Sequence, residues 1–216
     1  MGHCTRPRVL PVSHEDEKNV ADVVVPKVTT EKNADRIVAE TGKKTADEIN
    51  AEIRVITDMW IEEFKSNMEG EGYHDIKIDY EVIATTEEYF TLKLICFKAA
   101  GSGYEENHFY TIDLKTGKKV ELADLFKKGS DYKKIISENI MEQMKEQMTA
   151  DNSVIYWVDN KEYPEWNFKE ITDDTSFYIN MNGEIVICFN EGDVAPACMG
   201  TVEFTISKDI VAGIIN

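Results

Sequence analysis

The segment Gly183–Ser207 constrains the fold most, because apolar and polar residues alternate on both sides of a long loop. The apolar positions that repeat with a period of two are Ile185, Ile187, Phe189, Val202, Phe204 and Ile206. This alternation predicts two half-buried antiparallel strands. Between them lies Asn190–Gly200, which is too long for a tight hairpin. A loop of this length inside a compact domain is usually functional or mobile.

The clearest helix is predicted over Thr45–Asn67, where Thr45 and Glu48 have the spacing of a capping box. Apolar residues recur there at steps of three and four. They are Ile49, Ile53, Ile56, Trp60, Ile61 and Phe64. Such a stripe predicts a helix that covers a sheet. The polar stretch before it, Thr29–Lys44, is predicted to be a loop with at most a short helical turn around Ala34–Ala39.

Strands are predicted on both sides of a second helix, Asp131–Met148. The methionine-rich inner face of that helix suits either an adaptable core or a binding surface, and the pattern favours a core. The strand candidates are Asn19–Val28, Asp75–Ala84, Tyr89–Ala99, His108–Asp113, Val120–Phe126 and Asp173–Ile179. The glycine-containing Gly101–Asn107 is expected to be a flexible connection.

These elements predict an α+β fold with antiparallel sheets, each packed by one main helix. We expect two intimately packed subdomains, residues 19–104 and 105–216, after a tag-like or disordered leader at residues 1–18. The sequence has neither a signal-peptide pattern nor an apolar run long enough to span a membrane.

The formal net charge of the 216 residues is −17. Nucleic acids and anionic membrane surfaces attract clustered lysine and arginine, so the charge argues against both as partners. It suits a cationic protein partner, because complementary fields raise association rates. The same charge is also compatible with solubility alone.

No catalytic or metal-binding pattern is present. The four histidines lack the spacing of zinc or catalytic motifs, and no phosphate-binding glycine loop occurs. We therefore expect no enzyme activity, no cofactor and no metal. Cys96 and Cys188 lie in apolar strands and are expected to be buried, whereas Cys198 could pair with Cys188 or remain free.

Two stretches carry candidate binding residues. Glu191 and Asp193 on the long loop could bind a cation, contact a basic partner or simply be solvated. The aromatic, irregular segment Asp151–Glu170 could cap the second helix or form a binding surface, because tyrosine and tryptophan dominate such surfaces.

The order of elements from Tyr110 to Ser207 resembles the C-terminal domain of RsiV-like anti-sigma factors, a domain also found in some secreted polysaccharide deacetylases. The matching signature in this chain is Phe189, Ala195, Pro196 and Gly200, followed by the last strand. The upstream part resembles the companion N-terminal domain, so the resemblance covers about Val20 to Ser207.

The resemblance implies an extracytoplasmic, cell-surface sensor domain. Its best-understood relatives are single-pass membrane proteins that hold a sigma factor inactive through a separate cytoplasmic segment. Their external domains bind and inhibit C-type lysozyme, and binding exposes the anti-sigma factor to proteolysis. The residues then expected to bind the partner are Glu191, Gly192, Asp193, Pro196, Ala197, Met199, Tyr156, Trp157 and Trp166.

The chain departs from this family in the long loop. Family members commonly carry aromatic residues near the positions of Gly192 and Ala197. The anchors would then come from Tyr156, Trp157 and Trp166, or the ligand is a different one. A second interpretation is a cell-wall glycan-binding module of a secreted or surface protein, with Trp157 and Trp166 stacking on sugar rings.

Overall fold

The computed structural model describes residues 19–30, 36–68 and 74–216, so the predicted leader lies outside the described residues. The chain forms two compact units, which we call unit 1 (Met1–Lys119) and unit 2 (Val120–Asn216). The subdomain boundary expected after residue 104 falls within a strand of unit 1. In the described ranges, no helix is both long enough and apolar enough to cross a membrane.

Unit 1 contains a five-stranded sheet and one long helix. Its elements are β1 (Asn19–Val23), α1 (Arg36–Asn67), β2 (His74–Thr85), β3 (Tyr89–Ala100), β4 (Ser102–Asp113) and β5 (Lys118–Lys119). The strands lie in the order β1-β2-β3-β4-β5. All neighbours are antiparallel except β1, which runs parallel to β2, so the expectation of a purely antiparallel sheet is wrong at this edge.

The apolar stripe of α1 packs against the sheet, as the sequence predicts. Ile49, Ile53 and Trp60 are fully buried, and Ile56, Ile61 and Phe64 pack around them. The facing strand positions in this core are Ile76, Ile78, Phe90, Leu92, Leu94, Cys96, Tyr110 and Ile112. Burial of this apolar surface is the main term that holds the helix on the sheet.

Helix α1 begins at Arg36, nine residues before the predicted start. The prediction of a loop up to Lys44 is therefore wrong, and Thr45 is a buried residue inside the helix rather than its cap. Gly42 explains part of the error. A side chain at this position would approach Thr30 Cγ2 to 3.1 Å, so the glycine that looks like a helix breaker allows close packing.

The predicted flexible connection at Gly101–Asn107 is also wrong, because β4 begins at Ser102. Gly101 has φ +82° and makes the turn between β3 and β4. Gly103 lies beneath the ring of Phe97, and a Cβ at this position would come within 2.8 Å of that ring. Both glycines therefore have structural roles in a regular hairpin.

Unit 2 contains a three-stranded antiparallel sheet with one main helix. Its elements are α2 (Tyr132–Ala150), β6 (Phe177–Ile179), β7 (Ile185–Phe189), β8 (Val202–Ile206) and α3 (Lys208–Val211). Strand β7 lies between β6 and β8. Together the two units confirm the α+β class. The methionine Met144 is buried on α2 with Ile136 and Ile140, so this part of the helix forms core.

All five residues of β7 are buried, whereas the alternating pattern predicted a half-buried strand. Of the two strands predicted in Gly183–Ser207, β8 is the one that keeps the alternation. Phe204 and Ile206 are buried there, and Glu203 is exposed. Val120–Phe126 does not form the predicted strand. Leu122–Leu125 is a short 3-10 helix instead, and Phe126 pairs with Ile215 near the end of the chain.

A polar cluster around Glu106 connects α1 to the sheet in unit 1. Glu106 Oε2 accepts a hydrogen bond from Trp60 Nε1 at 3.0 Å, and Oε1 lies 3.0 Å from His108 Nε2. Lys98 Nζ lies 3.6 Å from Glu106 Oε2 and 2.7 Å from Glu63 Oε2. The hydrogen bond with His108 lowers the pKa of Glu106 most. The bond from Trp60 and the charge of Lys98 act in the same direction, whereas burial opposes them.

Replacing Glu106 by glutamine is expected to lower the free energy of unfolding at neutral pH by about 1–2 kcal/mol, because a charged acceptor is lost. Folding lowers the pKa of Glu106, so its stabilisation is complete above its ordinary pKa. That stabilisation is lost as the pH falls through the pKa of the folded state. The wild type should therefore lose more stability than Glu106→Gln between pH 7 and about pH 3. Urea unfolding followed by circular dichroism measures this difference. Glu81→Gln, at an exposed position of β2, is the control. An equal loss of stability in this variant would contradict the stabilising role of the Glu106 carboxylate.

Candidate functional site

The long loop Asn190–Gly200 begins with a tight turn. Asp193 Oδ2 accepts a hydrogen bond from the Asn190 main-chain N–H at 2.8 Å, and the Asp193 N–H donates to the Asn190 carbonyl at 3.1 Å. Gly192 lies within this turn at φ +88°, a backbone region that favours glycine. The turn places Glu191 and Gly192 partly at the surface and Asp193 fully at the surface.

The loop then enters the core and emerges again. Val194 and Ala195 keep only 3% and 1% of their surface. After Pro196, the residues Ala197–Met199 form a 3-10 turn in which Met199 N–H donates to the Pro196 carbonyl at 2.8 Å. Ala197 is exposed, whereas Pro196 and Met199 are partly exposed. The loop is therefore two short turns on either side of a buried anchor.

A second segment lies beside this anchor. We call Trp157–Phe168 the aromatic turn. The Trp157 N–H donates to the Val194 carbonyl at 2.8 Å, and the Trp157 carbonyl accepts from the Phe168 N–H at 2.8 Å. The Phe168 ring meets Phe189 edge-on at 5.5 Å. The structure thus brings the long loop and the aromatic turn together, although 21 residues separate Phe168 from Asn190 in the sequence.

Three aromatic side chains of this turn pack in series. The ring of Trp166 lies 5.3 Å from that of Trp157, and the ring of Tyr163 stacks on Trp166 at 4.4 Å with 12° between the planes. Tyr163 is absent from the residues predicted to bind a partner. The sequence Tyr163-Pro164-Glu165-Trp166 could have indicated that Tyr163 lies next to Trp166. Residues three apart in a 3-10 turn project in the same direction.

Tyr156 has a different environment from its neighbour Trp157. Its ring is buried against Phe204 at 5.5 Å, and its hydroxyl donates to Gln147 Oε1 at 2.7 Å. Burial raises the pKa of this phenol above its ordinary value. Tyr156 therefore contributes to the core of unit 2, while the exposed aromatic surface belongs to Trp166 and Tyr163.

Two asparagines close the aromatic turn. The Asn160 N–H donates to Asn167 Oδ1 at 2.8 Å, and Asn167 Nδ2 donates to the Asn160 carbonyl at 3.0 Å. Asn160 Oδ1 in turn accepts from the main-chain N–H groups of Glu162 and Tyr163. These four bonds satisfy main-chain groups that a short irregular turn would otherwise leave to water. The backbone that carries the rings is consequently well supported.

The side chains around both segments are mostly acidic. No lysine or arginine occurs between Gly183 and Ser207, and the aromatic turn has three carboxylates and one lysine. Residues 120–216 hold 18 acidic and 8 basic side chains, a formal net charge of −10. This surface is suited to attract cations and cationic proteins.

Cys96, Cys188 and Cys198, the cysteines in the described ranges, form no disulfide with one another, so Cys198 is not paired with Cys188 in this structure. Cys96 and Cys188 are buried, as predicted. Burial raises the pKa of Cys96 to about 12. Cys198 is exposed on the 3-10 turn of the long loop, so its thiol is the accessible one in this part of the chain.

Comparison with known proteins shows which domains this chain resembles. Residues 123–209, which include both the aromatic turn and the long loop, match the family described as protein of unknown function (DUF3298). The chain is also 36% identical over 144 residues to the anti-sigma-V factor RsiV of Bacillus subtilis (strain 168). This match covers 67% of the chain and 50% of RsiV, so the chain spans about half the length of that relative. The resemblance to RsiV-like proteins is therefore confirmed.

Two crystal structures of DUF3298 family proteins share the fold. The protein from Bacteroides fragilis NCTC 9343 has a TM-score of 0.53 and 17% identity, covering 88% of this chain and 83% of its own. The protein from Pseudomonas aeruginosa PAO1 has a TM-score of 0.53 and 16% identity, covering 70% and 67%. At these identities the likeness shows the fold alone.

The bracing of the aromatic turn can be tested with Asn167→Ala. Loss of both side-chain bonds to Asn160 should lower the free energy of unfolding by about 1–2 kcal/mol and accelerate hydrogen exchange at the Asn160 amide. The exposed Asn152 provides the matched control, Asn152→Ala, which should change neither quantity. An unchanged exchange rate at Asn160 in Asn167→Ala would contradict the role of these bonds.

Thiol accessibility tests the conformation of the long loop. In a Cys4→Ser background, we expect one thiol to react rapidly with Ellman's reagent near pH 8, and Cys198→Ser should abolish that reaction. Cys96 and Cys188 should react at least about tenfold more slowly until urea unfolds the protein, because burial shields their thiols from the reagent. Rapid reaction of Cys188 in the folded protein would contradict its burial in β7.

Proposed function

We propose that this chain is the extracytoplasmic sensor domain of an RsiV-like anti-sigma factor, and that it binds C-type lysozyme through the long loop and the aromatic turn. Binding would require no catalysis. The loop would enter the cleft of the enzyme and inhibit it, and the complex would expose the anti-sigma factor to proteolysis. The sigma factor would be held, and the protein anchored in the cell membrane, through segments outside the two units.

The observation that carries this proposal is the 36% identity to RsiV over 144 residues. The DUF3298 match contains both surface segments, so the candidate site lies in the part of the chain that the family shares. The name of the relative supports an anti-sigma role. The choice of lysozyme as ligand rests on what the family resemblance implies, together with the charge of the chain.

Charge supports a strongly cationic partner. Unit 2 alone has a formal net charge of −10, and the long loop has two carboxylates and no basic residue. Such a surface accelerates association with a positively charged protein and makes the rate depend on ionic strength. It contributes less to the lifetime of the complex, which depends on close contacts at the centre of the interface.

The geometry supports binding by a prepared surface. Val194 and Ala195 anchor the long loop, and the Trp157 N–H binds its backbone, so little ordering remains to be done when a partner docks. A surface that is ordered before binding loses less conformational entropy in the complex. The exposed side chains on either side of the anchor, Asp193 and Ala197, are then positioned to enter a cleft.

A second candidate function is binding of a cell-wall glycan. The observation in its favour is the exposed pair Tyr163 and Trp166, because aromatic faces also stack on sugar rings. The two functions differ in their response to salt. A glycan complex is largely insensitive to ionic strength, whereas a complex steered by charge weakens as salt screens the interaction.

The test is calorimetric titration with a C-type lysozyme at about 50 mM and about 300 mM NaCl. We expect binding at low salt that weakens by about tenfold at high salt. Glu191→Lys should weaken the low-salt affinity by about three- to tenfold, because it places a positive charge in the interface.

The matched control is Asp209→Lys, which makes the same change in net charge. Asp209 follows the end of β8 that is opposite to the long loop, so this variant should bind lysozyme within about twofold of wild type. Equal losses in both variants would show that only net charge matters. Absence of binding at either salt concentration would reject lysozyme as the ligand, and salt-insensitive binding of a chitin oligosaccharide would then favour the glycan function.

A further inference from the structure

The ring series of the aromatic turn ends at the protein surface. Trp157 is half-buried, whereas Trp166 and Tyr163 keep 48% and 40% of their surface. Trp166 covers one face of the Tyr163 ring at 4.4 Å. The exposure of Tyr163 therefore lies on its opposite face and its edge, and Trp166 keeps exposed surface next to it.

This open face is held in position before any partner arrives. The main-chain N–H of Tyr163 bonds to Asn160 Oδ1 at 3.0 Å, and the Trp166 N–H donates to the Tyr163 carbonyl at 3.2 Å. Lys145 Nζ lies 2.8 Å from Asp159 Oδ2, and this ion pair connects the aromatic turn to α2. A ring fixed in this way loses little entropy on binding, and aromatic residues with that property are typical anchors of interfaces.

Exposed carboxylates adjoin both rings in the sequence. Glu162 immediately precedes Tyr163, Glu165 immediately precedes Trp166, and both glutamates are exposed. Lys161 is the one basic residue in the sequence of the turn. An aromatic face with carboxylates on adjacent residues attracts a cation, because the ring quadrupole and the negative charges act in the same direction.

The shape of the site distinguishes between cations. A guanidinium group is planar and weakly hydrated, so it continues a stack of rings while its N–H groups pair with carboxylates. An ammonium group is compact and strongly hydrated, and it gains less from a flat surface. A sugar needs a broad, flat aromatic surface. Here Tyr163 stacks on Trp166, whereas the ring of Trp157 is tilted by 48° to that of Trp166, so the three rings do not form one flat platform.

We propose that the outer face of Tyr163, with Trp166 behind it and Glu162 and Glu165 beside it, binds an arginine side chain of the cationic partner. The inference rests on the proposed function and extends it, because it names the anchor that the long loop itself lacks. Charge brings the partner to the surface, and the stacked arginine keeps it there.

The binding chemistry can be tested without lysozyme. N-acetyl-arginine amide and N-acetyl-lysine amide carry the same charge, and nuclear magnetic resonance of the indole N–H groups reports on each tryptophan. The arginine probe should shift the Trp166 signal with an affinity at least about threefold higher than the lysine probe. The buried Trp60 should not respond. Equal shifts from both probes, or a saturable shift with a chitin oligosaccharide alone, would overturn the proposal.

Variants of Tyr163 distinguish stacking on its aromatic ring from contact with any large apolar side chain. Tyr163→Leu keeps an apolar side chain but removes the aromatic face, so it should weaken both arginine-probe and lysozyme binding by about five- to tenfold. Tyr163→Phe keeps the face and should bind within about twofold of wild type. Met181→Ala, at an exposed apolar residue in the β6–β7 turn, is the control and should have no effect.

The outcomes distinguish this proposal from the proposed function. If lysozyme binds wild type and Tyr163→Leu equally well, the arginine site is wrong and the sensor function stands. If lysozyme does not bind but the arginine probe still selects Trp166 and requires the Tyr163 ring, the site is correct and its partner is a different cationic protein.

Discussion

The burial of Val194 and Ala195 in the middle of the long loop determines how the surface of unit 2 is arranged. A buried main-chain carbonyl needs a hydrogen-bond donor, and Trp157 supplies it to Val194 at 2.8 Å. Trp157 is then fixed on both sides, because its own carbonyl accepts from Phe168. This one connection joins the long loop to the backbone that carries the ring series. The edge-on contact between Phe168 and Phe189 adds a side-chain connection at the start of the loop.

Much of the fold could be predicted because its elements bury apolar residues in regular patterns. The stripe of α1 through Ile49, Ile53 and Trp60 is a local property of the sequence, and so is the alternation in β8. The errors have physical causes that lie elsewhere in the chain. Gly42 and Gly103 look like breaks, but each accommodates a neighbour distant in sequence, namely Thr30 and the ring of Phe97. A single sequence gives no sign of such neighbours.

The candidate site was predictable to a smaller extent. Length and composition indicated the long loop, and aromatic content indicated the segment beside it. Their contact could not be foreseen, because a main-chain bond such as the one between Trp157 and Val194 leaves no mark in side-chain pattern. The same limit explains Tyr156 and Tyr163. Both are tyrosines in one irregular segment, and only the fold shows that the first packs on Phe204 while the second lies on the surface.

The conformation of the long loop also explains where aromatic contacts are found in this chain. The resemblance to RsiV-like proteins implies aromatic residues near the positions of Gly192 and Ala197. At Gly192 the backbone has φ +88°, so an aromatic side chain there would be strained in this turn. The aromatic turn provides Trp166 and Tyr163 on a braced backbone, in a ring series that begins at Trp157 beside the loop's anchor. Under the proposed function, this arrangement would separate two requirements of recognition. The loop would supply negative charge, and the neighbouring turn would supply the aromatic surface that stabilises a complex.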